Sequence, residues 1–176
     1  MGGFAGGDEG GYWEEDTLTT LVDKQSNTNQ KKKEKAYQET NDLGYSIKAY
    51  AKVNDKNPHI LDNLYDIVSF IPCACTSFTI EGCDEIPLKS NTIYQAYKKI
   101  LDFTNDTEVL EFFSEYKVVV KKCIPFHPDQ GGNASNAAAF LYLLKEVCNL
   151  ILSTDELVEI GNSIDTDVPF FLYNYL

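Results

Sequence analysis

A strand stopped by a proline, then a glycine pair and an alanine-rich run, constrains this chain most. Tyr116-Lys117-Val118-Val119-Val120-Lys121-Lys122-Cys123-Ile124 is dense in β-branched and aromatic residues, and Pro125 removes the donor a strand needs to continue. Gly131-Gly132-Asn133-Ala134-Ser135-Asn136 then leads into an apolar helix expected from Ala137 to Leu152. That order leaves free backbone N–H groups at the helix start, where phosphate binds well. The spacing alone also admits a plainer reading, in which Gly131-Gly132 turns the chain and Asn133 or Ser135 caps a core helix.

The elements around this unit are those of an α/β domain. Ile47 to Val53 alternates as a strand does, and Asp55-Lys56-Asn57-Pro58 is a turn. Ile60 to Ile71 fits either a helix or a strand ending at Pro72, and Ser77 to Ile80 reads as a further strand. Asn91-Thr92 precedes Ile93, Ala96, Tyr97, Ile100 and Leu101, the spacing of an amphipathic helix, and Thr107 to Phe113 is a second helical piece. Ser153 and Glu156 form a capping box for a helix expected to run to about Ile160 before Gly161. Asp167 to Tyr173 is apolar enough to be a buried strand. Residues 1–46 read as a flexible acidic and polar tail with a short strand at Thr17 to Val22, because scattered apolar residues cannot offset the entropy of ordering it. The domain is expected to occupy 47–176.

Charge and cysteine content narrow the function classes. Lys plus Arg is 15 against 27 for Asp plus Glu, a net charge of -12 that repels nucleic acid and anionic membranes. The brief basic run Lys31-Lys32-Lys33-Glu34-Lys35 carries no interleaved aromatics and reads as a solvated segment. Five scattered cysteines without paired Cys-x-x-Cys units argue against structural zinc and for a reducing, cytoplasmic setting. Cys123 and Cys148 read as small core residues, and Cys73-Ala74-Cys75 is the one pair spaced to meet a soft metal. No apolar stretch reaches the ~18 residues that span a bilayer, and the acidic N-terminus lacks the features of a signal peptide.

Four segments in this order resemble the GHMP small-molecule kinase superfamily, and within it the 4-diphosphocytidyl-2-C-methyl-D-erythritol kinases. They are Tyr50-Ala51-Lys52-Val53-Asn54, Ile86-Pro87-Leu88-Lys89-Ser90-Asn91-Thr92-Ile93-Tyr94, Gly131-Gly132-Asn133-Ala134-Ser135-Asn136-Ala137-Ala138, and Asp167-Val168-Pro169-Phe170-Phe171. The resemblance implies the family's N-terminal α+β two-layer fold, like domain 2 of ribosomal protein S5. It implies ATP and Mg2+ as cofactors and a small-molecule alcohol as substrate, phosphorylated in non-mevalonate isoprenoid synthesis. It assigns Asp167 as general base with Lys52 as its partner, Gly131, Gly132, Asn133, Ser135 and Asn136 to the nucleotide, and Asn54 and His59 to the substrate. The family pairing makes chemical sense, since a carboxylate accepts the hydroxyl proton while an ammonium offsets the charge that develops.

The resemblance is imperfect where it matters most. The family loop reads Pro-x-x-x-Gly-Leu-Gly-Gly-Gly-Ser-Ser, and here Pro128 and Asp129 stand before Gly131, with Asn133 and Ala134 after Gly132. Asp129 sets a carboxylate where a phosphate would approach, costing about 1 kcal/mol at ~4 Å in water and more in a cleft. Ala134 deletes a hydroxyl. The four residues between Asn54 and His59 leave little room for the family's hairpin, so its second strand is expected to be lost. Asp165-Thr166 stands where the family has Gly-Ala, and the family's C-terminal domain is expected to be absent, exposing a C-terminal strand for self-association. Three functions follow: a kinase fragment with impaired activity, a non-catalytic nucleotide- or partner-binding domain, and a co-chaperone module suggested by His127-Pro128-Asp129, which is similar to the J-domain signature. The last needs a basic helix running into the tripeptide, which Val118-Val119-Val120 and Pro125 oppose.

Overall fold

The computed structural model describes residues 35–53, 56–105, 107–125 and 131–176. The expected strand at Thr17 to Val22 lies outside them, as do Asn54 and the His127-Pro128-Asp129 tripeptide. A five-stranded sheet of order β1-β2-β3-β5-β4 is built from β1 (Tyr37–Glu39), β2 (Tyr45–Val53), β3 (His59–Pro72), β4 (Ile80–Glu81) and β5 (Tyr116–Lys121). All neighbours are antiparallel except β4 and β5. The helices are α1 (Thr92–Thr104), α2 (Thr107–Glu115), α3 (Gly132–Val147), α4 (Thr154–Ile164) and α5 (Val168–Tyr175).

Alternation dictates which side chains enter the core. Ile47, Ala49 and Ala51 of β2, Val68 and Phe70 of β3, and Val118 and Val120 of β5 are all buried. They meet α3, which lies against β2 and β3 and is flanked by α1, α4 and α5. Buried α3 residues Ala134, Ala137, Ala138 and Ala139 bring its backbone close to these neighbours, while Phe140 stacks within an aromatic cluster with Phe70, Phe78 and Phe113.

Several boundaries differ from the sequence expectation. The sheet starts upstream of residue 47, because Tyr37 to Glu39 pairs with β2 and Tyr37 packs edge-on to Tyr45. The segment 60–71 is a strand, so the β2–β3 hairpin exists despite its short link, and the second strand is not lost. The expected strand from Ser77 to Ile80 reduces to Ile80–Glu81, since only Thr79 and the two residues after it reach β5.

α3 begins at Gly132, five residues earlier than expected, and stops at Val147. α4 has the expected capping box from Ser153 and Glu156 but runs on through Gly161 to Ile164. Gly161 serves packing: a Cβ there would lie 2.7 Å from Val168 Cγ1, so the glycine lets α5 approach α4.

The largest difference is at the C-terminus, where Val168 to Tyr175 is a helix and no strand. Pro169 falls in its first turn, where a missing N–H costs nothing. Val168, Phe171, Leu172 and Tyr175 form its buried face at helical spacing, and the Tyr175 hydroxyl donates to the Lys48 carbonyl at 2.6 Å. An exposed C-terminal strand for self-association is therefore not present.

Candidate active site

The end of β2 and the start of α5 bring Lys52 and Asp167 together. Lys52 Nζ lies 2.9 Å from Asp167 Oδ2, with the lysine side chain 8% exposed and the aspartate 45%. Lys52 Nζ also sits 5.6 Å from the centre of the Phe170 ring. Asp167 occupies the position preceding α5 without capping it, and its N–H donates to Asp165 Oδ1 at 2.8 Å. The carboxylate introduced at Asp165 thus holds the turn, leaving the Asp167 carboxylate directed to Lys52 and solvent.

The start of α3 abuts this pair. Gly131 precedes the helix with φ +65°, and a Cβ there would meet Phe171 at 2.9 Å and Lys52 Cε at 3.4 Å. Glycine is required on both counts. Neither Asn133 nor Ser135 caps the helix, so among the described residues its first N–H groups have no side-chain acceptor. Asn133 is exposed, and its carbonyl accepts from Thr92 Oγ1 at 2.7 Å, tying α3 to α1.

Ser135 and Asn136, which the resemblance assigns to the nucleotide, lie in the packed part of α3, and Asn136 lines a cavity at the helix start. Both are buried, because they follow the first turn into the packed face of α3. Ser135 Oγ has no hydrogen-bond partner among the described residues. Asn136 joins a network centred on Asp66, a fully buried carboxylate on β3. Asp66 Oδ1 accepts from the Cys123 and Ile124 N–H groups at 2.6 and 2.8 Å. Its Oδ2 accepts from Lys122 Nζ at 2.6 Å and Asn136 Nδ2 at 3.0 Å. Lys122 Nζ also donates to Asn136 Oδ1 at 3.2 Å.

Sequence reasoning missed Asp66 and Lys122, although a signal was there. Asp66 belongs to the inward row of Val68 and Phe70, and a carboxylate in an apolar row has to find donors. Ile67 pairs with Lys121 in the β3–β5 ladder, so continuing the register by one residue sets Asp66 opposite Lys122.

A cavity of about 260 Å³ opens beside this network, lined by Cys83, Glu85, Ile86, Asn91, Thr92, Lys122, Ile124, Asn133 and Asn136. Its walls are the starts of α1 and α3 and the end of β5. The Cys83 thiol is pushed up from its ordinary range, chiefly by burial, against opposing effects of a hydrogen bond from Asn91 and the Lys122 charge. Asn91 also caps α1, accepting the Ile93 N–H at 2.8 Å. The cavity and the Lys52–Asp167 pair lie on either side of the first turn of α3.

The other expected residues are placed more simply. His59 is exposed at the start of β3, pairs with Val53, and its Nδ1 lies 2.9 Å from the Asn57 carbonyl. The hairpin puts it at the Lys52 end of β2. Cys123 is exposed, so it is not the core residue expected, because it lies beyond the last residue of β5, whereas Cys148 is half-buried and packs against the core. The segment entering His127 is strand β5 and not a basic helix. Among the described residues, no group of three or more His, Cys, Asp and Glu side chains gathers to hold a metal, and no helix is long and apolar enough to cross a membrane.

The GHMP kinases N terminal domain family matches residues 91–175, the stretch from the cap of α1 to the end of α5. A Sulfurovum sp. (strain NBC37-1) protein named 4-diphosphocytidyl-2-C-methyl-D-erythritol kinase is 43% identical over an alignment of 146 residues that covers 74% of this chain. The chain belongs to the GHMP kinases. This GHMP-kinase chain spans 56% of that relative's length. The Helicobacter pylori (strain ATCC 700392 / 26695) protein of the same name is 28% identical over 131 residues, covering 72% of this chain and 48% of its own. Solved structures of GHMP kinases share the fold. A 4-(cytidine 5'-diphospho)-2C-methyl-D-erythritol kinase superposes with a TM-score of 0.56 at 20% identity, covering 73% of this chain and 49% of that one. Methanococcus jannaschii mevalonate kinase gives 0.55 at 16%, over 73% and 50%.

Proposed function

We propose that this chain carries the hydroxyl-activating and phosphate-facing part of an ATP-dependent kinase for 4-diphosphocytidyl-2-C-methyl-D-erythritol. The observation that carries the reading is the Lys52–Asp167 pair at 2.9 Å, set against the open N-terminus of α3. A substrate hydroxyl beside Asp167 loses its proton to the free carboxylate oxygen as the oxygen attacks phosphorus. Lys52, 2.9 Å from that carboxylate, offsets negative charge on the transferring group. The uncapped N–H groups of α3 face the same space and favour an anion there. His59, at the adjoining hairpin, is a substrate-side contact in this reading, and the family pattern adds Asn54.

The cavity fits the nucleotide in part. Its volume of about 260 Å³ falls just below the ~300 Å³ lower bound of small-molecule pockets, so it would hold only part of a nucleotide. ATP supplies the phosphoryl group. Asn91, Thr92, Lys122, Asn133 and Asn136, with the Glu85 carboxylate, are polar groups of the cavity lining. Mg2+ arrives with the phosphates, which is the usual arrangement for an ion that keeps most of its waters.

A weakened or non-catalytic nucleotide-binding role is the second reading. It is favoured by the burial of Ser135 and Asn136 and by the replacement of a hydroxyl with buried Ala134. Calorimetric titration with Mg-ATP, followed by phosphoryl-transfer assay on the named substrate, separates the two. Binding with turnover that Asp167→Asn abolishes supports the kinase reading; binding without turnover supports the second; no binding refutes both.

A further inference from the structure

Lys122 stands where two ligand chemistries could claim it. It follows β5 and lies beside the first residue of α3, since a Cβ on Gly132 would be 3.6 Å from Lys122 Nζ. An ammonium at an uncapped helix start is ordinarily a phosphate ligand, because the N–H groups and the charge act together. The same side chain lines the cavity of about 260 Å³. Asp66, fully buried and not part of that lining, decides between the two.

An ammonium has three donors. Lys122 Nζ commits two of them within the protein, to Asp66 Oδ2 at 2.6 Å and Asn136 Oδ1 at 3.2 Å. Asn136 Nδ2 donates to the same Asp66 oxygen at 3.0 Å, and the Cys123 and Ile124 N–H groups hold the other oxygen, so the carboxylate is fixed from both sides. The charges point the same way. Glu85 and Lys122 are the charged residues of the lining, and Asp66 matches the lysine. A phosphate entering the cavity therefore meets the Glu85 carboxylate with no free cation among the lining residues to offset it. An uncharged polar ring meets separate single groups instead. These are the third Lys122 donor, the Asn136 amide, and the Thr92 hydroxyl, which donates to the Asn133 carbonyl and can still accept.

Resting on the nucleotide reading above, we infer that Asp66 is a specificity-determining positioning residue: by committing Lys122 to the protein, it makes the cavity take an uncharged, polar part of the ligand and leaves the phosphates to the start of α3. Asp66 acts through Lys122 and touches no ligand itself.

The test titrates the full chain calorimetrically with two probes, adenosine for the uncharged part and inorganic tripolyphosphate for the charged part. In Asp66→Asn the Lys122 ammonium loses its anionic partner and turns to the start of α3. Tripolyphosphate then binds about tenfold tighter than to the wild type, while adenosine binds about fivefold weaker. A residue that only held the fold together would weaken both, so opposite shifts are the signature. Lys122→Met gives a second answer with the carboxylate left in place: adenosine weakens about fivefold and tripolyphosphate changes by less than about twofold. Three results overturn the assignment: both affinities falling in Asp66→Asn, tripolyphosphate falling with adenosine in Lys122→Met, or a wild type that does not bind adenosine. Turnover with Mg-ATP judges the kinase reading separately. Turnover without the opposite shifts overturns the role of Asp66 alone, and opposite shifts without turnover support that role in a chain that is not a kinase.

Discussion

Asp66→Ala removes a buried carboxylate that accepts from four donors at once: the Cys123 and Ile124 N–H groups, Lys122 Nζ and Asn136 Nδ2. Hydrogen bonds to a charged group contribute about 1.5–3 kcal/mol each, but the four are not additive, and Lys122, 27% exposed, rehydrates in part. Breaking a buried pair from one side costs about 3–5 kcal/mol, which is the expected loss here. Against a total of roughly 5–15 kcal/mol for a domain, that is a large share. Asp66→Asn keeps an oxygen for the two backbone N–H groups and turns an NH2 towards Lys122 and Asn136, so about half as much is lost, ~2 kcal/mol. Urea denaturation followed by circular dichroism measures both as shifts in midpoint at constant slope. A loss under about 1 kcal/mol for Asp66→Ala would refute the reasoning. So would additivity of Asp66→Asn and Lys122→Met in the double variant, since neighbours in one network couple.

Three other outcomes are expected. Asp167→Asn changes stability by less than about 1 kcal/mol, because its partnership with Lys52 is half in solvent, while lowering any kinase turnover at least ~100-fold; steady-state kinetics beside a melting curve reads both. Gly161→Ala presses a methyl against Val168 and Leu172 and costs about 1–3 kcal/mol in denaturant midpoint. Burial raises the Tyr175 hydroxyl well above its ordinary value of 10.0. The fold holds that proton longer than the unfolded chain does, so this contribution is intact below pH 10 and is lost as pH rises beyond it, at up to about 1.4 kcal/mol per unit. Tyr175→Phe should flatten the alkaline limb of a stability–pH profile, and an unchanged limb would count against it.

The parts of this fold legible in the sequence are those written in local patterns. Asn91 before an amphipathic run, the Ser153–Glu156 box and the valine row of β5 each declare their element through backbone chemistry that needs no tertiary partner. The apolar stretch 168–175 does not, because strand and helix bury such a run equally well and only the position of Pro169 separates them. Gly161 reads as a stop when seen alone; it is a contact surface once Val168 lies on it. The site divides in the same way. Lys52, Asp167 and Gly131 were named from a family pattern and are brought together, whereas Asp66 and Lys122 depend on the β3–β5 register, which no local segment reveals.

The alanines of α3 have one more consequence. Ala134, Ala137, Ala138 and Ala139 have no side-chain torsions, so at these positions α3 meets its neighbours through methyl groups and backbone. Most packed helices absorb a small push by rotamer changes along the contact. These four positions have none to make. A displacement at Gly131, where a phosphate would press, finds no rotamer to absorb it at the alanines and is first taken up by side chains such as Asn136 and Phe140, within a helix of 16 residues, about 24 Å at helical rise. The alanines make the Lys52 end of α3 its stiff end.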